Sequence, residues 1–206
     1  MPQSDPPQIY LITPGHFDLA TFAPTLERVL DGRDIACVRL SLVTQDETEL
    51  THACDTLRDI CHARDVALVI DSHYRLAARL GLDGVHFTDG PKQVRAARKE
   101  LGKDAIIGAY CGQSRDSGLS AGEAGADYVS FGPVAASALG SGETAPPELF
   151  YWWSQMIEVP LVAEGGLTAA LAAQLAPHAD FLAIGDEIWN SDSALDGLRA
   201  LLTPPD

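Results

Sequence analysis

Residues 66–87 read Val66-Ala67-Leu68-Val69-Ile70-Asp71-Ser72-His73-Tyr74-Arg75-Leu76-Ala77-Ala78-Arg79-Leu80-Gly81-Leu82-Asp83-Gly84-Val85-His86-Phe87. The first five are apolar without a break. That is how a parallel strand reads when both of its faces are covered. A helical stretch at 75–80 follows, and 84–87 is a second short strand. Strand, helix and strand make one βαβ unit, with Asp71, Ser72 and His73 standing where the first strand ends.

The same unit repeats outward in both directions. Strands are expected at 9–12, 35–42, 66–70, 84–87, 105–109, 128–131, 160–163 and 181–184. Helices are expected near 17–30, 46–63, 75–80, 92–101, 118–124 and 147–156, then from a Thr168 cap to 175, and at 193–202. Eight such units in 206 residues sit at the lower size limit of a (β/α)8 barrel. An open doubly wound sheet is the alternative. It usually has five or six strands and a G-x-G-x-x-G first turn, whereas the first turn here is Thr13-Pro14-Gly15-His16. The expected fold is therefore α/β, a single-domain (β/α)8 TIM barrel over 8–203. The proline-rich ends, 1–7 and 204–206, read as tails.

Composition narrows the function. The chain is 46% hydrophobic and 21% charged, the profile of an ordinary globular protein. No run approaches the roughly 18 apolar residues of a membrane helix, and the N-terminus lacks the basic head of a secretory signal. The expectation is a cytoplasmic protein with no membrane partner. Asp plus Glu number 29 against 14 Lys plus Arg, a net charge of −15. A nucleic-acid binder needs a basic face, and the three lysines (Lys92, Lys99, Lys103) lie in one short stretch. Nucleic acid is not an expected partner. Cys37, Cys54, Cys61 and Cys111 form no C-x-x-C pair and read as small buried hydrophobes.

In a barrel the chemistry belongs to the loops after the strands. Those positions hold Arg39 and Ser41 after the second strand, then Asp71 and His73, then His86 and Asp89. Later strands end on Tyr110, Ser130 and Ser137, then Glu164, Gly165 and Gly166, then Gly185, Asp186 and Glu187. The Gly165-Gly166 pair before Thr168 reads either as an anion cup of free N–H groups or as a tight turn. Asp186-Glu187 would set like charge beside such a cup, which weakens phosphate binding. Asp71, His86 and Asp89 could hold a divalent ion or simply bond to one another. Tyr151-Trp152-Trp153 reads as helix packing, with a contact surface as the other use.

These segments resemble the thiamine-phosphate synthase/TenI family. The stretches that carry the resemblance are Leu76 to His86, Ile106-Ile107-Gly108, Ala124-Gly125-Ala126-Asp127-Tyr128 through Gly132-Pro133-Val134, and Pro160 to Leu167. The resemblance implies a (β/α)8 barrel that joins an aminopyrimidine diphosphate to a thiazole phosphate with Mg²⁺, releasing pyrophosphate. TenI relatives instead isomerise a thiazole carboxylate phosphate. Carried over by position, it assigns catalysis to Arg39, Asp71 and Ser137, metal binding to Asp71 and Asp89, and substrate or phosphate binding to Gly165, Gly166, Gly185, Tyr110 and His86. The implied partner is a small phosphorylated heterocycle, and a homodimer is compatible with the reading.

The family pattern is altered at several of these positions. Its Gln-x-Arg-x-Lys falls on Arg39, Ser41 and Val43, its Asn-Asp on Asp71-Ser72, and its second Mg²⁺ aspartate on Pro91. The Thr-x-Thr-Lys loop falls on Ser137, Leu139 and Gly140, the strand-eight serine on Asp186, and the TenI histidine near Gly112. Loop cations are lost and carboxylates gained. Arg39 and Arg115 remain as candidate mouth cations. The expected function is a divergent thiamine-phosphate-synthase-like protein. The alternatives are a TenI-like isomerase using His73 or His86, and a non-catalytic barrel that binds a ligand or partner.

Overall fold

The computed structural model describes residues 6–44, 46–137 and 142–204. Eight parallel strands close into a barrel in sequence order: β1 (Gln8–Ile12), β2 (Cys37–Leu40), β3 (Ala67–Asp71), β4 (Gly84–Phe87), β5 (Ile106–Tyr110), β6 (Tyr128–Phe131), β7 (Leu161–Glu164) and β8 (Phe181–Ile184). β1 pairs with β8 as well as β2, which closes the ring. Helices α1 (Leu19–Gly32), α2 (Glu47–His62), α3 (Tyr74–Leu80), α4 (Val94–Leu101), α5 (Arg115–Ala124), α6 (Pro147–Met156), α7 (Ala169–Leu175), α8 (Asp186–Trp189) and α9 (Ala194–Leu201) cover the outside. The expected barrel is the observed one.

Side chains alternate across each strand, so one sequence serves two cores. Leu11, Val38, Leu40, Leu68, Ile70, Phe87, Phe131 and Ile184 pack outward against the helices in one continuous cluster. Tyr10, Cys37, Val69, Tyr128, Val162 and Ala183 fill the lumen as a second, separate cluster. The four cysteines are free and buried. Gly108 is required by this packing: a Cβ there would lie 2.0 Å from Cζ of Tyr128, whose ring crosses the lumen.

Three aspartates clamp the N-terminal end. Asp83, Asp127 and Asp180 each precede an even-numbered strand. Each accepts, at 2.7 Å, from the backbone N–H of Leu68, Ile107 or Leu161 near the start of the strand before. Each returns its own N–H to the carbonyl of that same residue. The repeated x-Asp-strand pattern therefore joins β3–β4, β5–β6 and β7–β8 as two-point pairs. Asp18, Asp46, Ser114, Thr168 and Ser193 cap α1, α2, α5, α7 and α9 through their side-chain oxygens.

Candidate active site

The inward positions at the C-terminal strand ends converge on Arg39. This guanidinium, on β2, is the one buried lysine or arginine among the described residues. Its Nη2 lies 3.0 Å from Glu164 Oε2 on β7, and its Nε lies 3.4 Å from Asp71 Oδ1 on β3. Glu164 also accepts from Ser130 Oγ at 2.6 Å, and Asp71 accepts from Ser41 Oγ at 2.5 Å. Burial opposes the charge on Arg39, but Glu164 and then Asp71 outweigh it and hold the guanidinium above its usual range. Burial pushes the Asp71 carboxyl up, against the pull of Arg39 and Ser41. One cation thus sits between two carboxylates.

A polar chain crosses the lumen beneath this triad. Tyr10 Oη and Tyr128 Oη are 2.8 Å apart, and Tyr128 Oη is 2.9 Å from His86 Nδ1. The His86 and Tyr128 rings stack at 5.7 Å. His86 is fully enclosed, and its Nε2 has no hydrogen-bond partner. Burial first, and the Arg39 charge second, hold its pKa well below the ordinary value, so the imidazole is neutral. His86 therefore lies beneath the mouth, away from solvent. His73 is exposed at the start of α3.

The loops after β7 and β8 form a cup of backbone donors. Gly165 and Gly166 both adopt positive φ, +84° and +80°, which glycine allows. The Gly166 and Leu167 N–H groups point at Glu187 Oε1 (2.9 and 3.1 Å), and the Gly185 N–H points at Glu187 Oε2 (2.7 Å). Two of the sequence-assigned phosphate-cup residues, Gly166 and Gly185, thus come together with Leu167, and the group they hold is a carboxylate of the same chain. Asp186, which the resemblance places at the phosphate serine, is exposed instead.

Other assigned residues spread out. Tyr110 ends β5, donates to the Gly132 carbonyl at 2.7 Å, and has its phenol pushed up to about 12 by burial and by Glu164. Asp89 is exposed on the turn after β4, and Ser137 is exposed on the loop after β6. Leu139 and Gly140, the rest of that loop assignment, lie outside the described residues. Arg115 stacks over Trp152 at 4.4 Å rather than serving the mouth. Trp153 is buried, donating to the Val159 carbonyl at 2.8 Å, while Tyr151 is exposed.

The residues assigned to the Gln-x-Arg-x-Lys pattern divide between the mouth and the surface. Val43 is 66% exposed. The inward residues of this segment are Cys37, in the lumen, Arg39, ion-paired with Asp71, and Ser41, hydrogen-bonded to it. Of the three positions assigned to the pattern, Arg39 and Ser41 thus face Asp71, and Val43, at the lysine position, faces solvent. The lysine is replaced.

The donor set does not fit Mg²⁺ as arranged. Asp71 is engaged by a guanidinium and a hydroxyl, and Asp89 is exposed. Ser72 supplies no second carboxylate, and no cluster of three or more His, Cys, Asp or Glu suited to a metal occurs among the described residues. A cavity of about 710 Å³ lies at the opposite end of the barrel, among Ile9, Ala36, Ala172, Leu182 and Leu201. Its lining is mainly apolar and lacks the converging polar groups of the mouth.

A closed parallel barrel with its polar groups gathered at the C-terminal mouth places the chain in the TIM-barrel class. Residues 9–188 match the sequence pattern of the thiamine monophosphate synthase (TMP-TenI) family. The chain belongs to that family. It is 46% identical to the thiamine-phosphate synthase of Rhodospirillum centenum over 185 residues, 89% of each chain. It is 40% identical to the thiamine-phosphate synthase of Erythrobacter litoralis over 194 residues, 91% of this chain and 90% of the relative. Among solved structures, a thiamine phosphate pyrophosphorylase from Pyrococcus furiosus superposes with a TM-score of 0.79 at 22% identity, covering 95% of this chain and 93% of the other. No helix among the described residues is long and apolar enough to cross a membrane.

Proposed function

We propose that the protein is a divergent synthase of cytoplasmic thiamine biosynthesis, joining an aminopyrimidine diphosphate to a thiazole. The thiazole nitrogen forms the new bond to the pyrimidine methylene. The methylene C–O bond breaks, and its electron pair leaves with pyrophosphate. The departing group needs positive charge. Arg39, held at the mouth by Glu164 and Asp71, carries the reading, because it is the buried cation on the face where barrel chemistry occurs. No step is assigned to a metal, since the carboxylates present are committed elsewhere.

The test is product formation by the purified protein given both substrates and Mg²⁺, with an intact family member as control. Arg39→Gln is expected to lower turnover about 100-fold or more, the usual loss for one donor to developing charge. Unchanged turnover in that variant removes Arg39 from the reaction.

One observation favours a second reading, a barrel that binds its ligand without turning it over. Arg39 is already neutralised by two carboxylates and the cup by a third. Saturable ligand binding by the wild type without product selects this reading over the first.

A further inference from the structure

Glu187 sits on the single turn of α8, half-buried, and spends both carboxylate oxygens on three backbone donors from two different loops. Converging N–H groups of this kind bind oxyanions, and two carboxylate oxygens reproduce two of the oxygens of a phosphate monoester. The donors are loop groups: α7 starts beyond Thr168, and Gly185 precedes α8. The anion seen against them is the chain's own.

The turn that carries Glu187 is anchored. Trp189 Nε1 donates to the Ile12 carbonyl of β1 at 2.6 Å, Ile188 is fully buried, and Asn190 donates back to the Asp186 carbonyl at 3.1 Å. A phosphate entering the cup would have to expel the carboxylate from all three donors. It would also meet the repulsion of the Glu187 carboxylate and of the adjacent, exposed Asp186.

We propose that Glu187 is a specificity-determining residue: its carboxylate is the resident anion of the cup, so the heterocycle seated there carries a free hydroxyl rather than a phosphate ester. The choice of heterocycle rests on the proposed function, whereas the occupation of the cup does not.

The test uses the intact chain as wild type, Glu187→Gln and Glu187→Ser, titrated with inorganic phosphate at matched ionic strength and followed by calorimetry and thermal shift. The serine variant is expected to gain saturable phosphate binding at least about tenfold tighter than wild type, a difference of about 1.4 kcal/mol. The glutamine variant, which still fills the space, is expected to stay like wild type. Wild type binding phosphate as tightly as the serine variant overturns the proposal, as does a folded serine variant that gains nothing. Should that variant not fold, unmodified protein is titrated with the thiazole alcohol and with its phosphate ester. The alcohol is expected to bind more tightly, and tighter binding of the ester overturns the proposal. If neither thiazole binds wild type while the serine variant takes phosphate, the proposed function falls and the role of Glu187 stands.

Discussion

Arg39 and Glu164 depend on each other. Removing one member of a buried pair strands the other, at a cost of about 3–5 kcal/mol, whereas removing both charges costs much less. Arg39→Met is therefore expected to lower unfolding free energy by about 3–5 kcal/mol in urea titrations, with part of the loss recovered in Arg39→Met/Glu164→Gln. Strict additivity of the two changes would contradict the pairing seen at 3.0 Å. His86 gives a pH signature. Its folded pKa lies below the unfolded value of about 6.5, so below that pH the unfolded chain takes up a proton that the native state refuses. Its contribution is complete above about pH 6.5 and is lost as pH falls toward the folded pKa, at up to about 1.4 kcal/mol per pH unit. His86→Gln is expected to flatten that part of the stability–pH curve, and an unchanged slope would place the titration elsewhere. Arg39 was legible because an arginine inside an apolar run at a strand end has few other uses. Its partners were not: β2, β3 and β7 meet only when the barrel closes, and strand-to-strand register is absent from the order of residues.

Strands and long helices were legible because each buries a continuous apolar run or a periodic stripe. β4, β6, β8 and α6 start and end where the sequence places them. β2 is shorter than its apolar run: Ile35 and Leu42 extend beyond the paired residues Cys37–Leu40. The turn α8 was missed, since four residues carry no period. That omission matters, because this turn swings Glu187 back into the cup. The aspartate clamps act at this scale too. Each replaces a neutral backbone contact by a charge-assisted one, so Asp83→Ala, Asp127→Ala and Asp180→Ala are each expected to cost about 1 kcal/mol, nearly additively. Loss confined to one clamp in the triple variant would show that the three do not act alike.

At the scale of the whole molecule, a charge of −15 on 206 residues means self-repulsion that salt screens. Melting temperature is expected to rise from low salt to about 0.5 M sodium chloride. A fall would mean that the favourable ion pairs, such as Arg64–Asp31 and Arg79–Glu47, outweigh the excess acid. The excess has a local counterpart at the mouth, where Glu164, Asp71 and Glu187 occupy the groups that could receive phosphate oxygens. The sequence shows those carboxylates near the strand ends, but which donors they satisfy depends on closed loops. The central claim is a family barrel whose own carboxylates take the place of substrate phosphate. The most direct measurement supplies the aminopyrimidine diphosphate with equal amounts of thiazole alcohol and thiazole phosphate, and quantifies the coupled products by chromatography. The account predicts thiamine in excess over thiamine monophosphate. Thiamine monophosphate as the main product, or no coupled product of either kind, would contradict it.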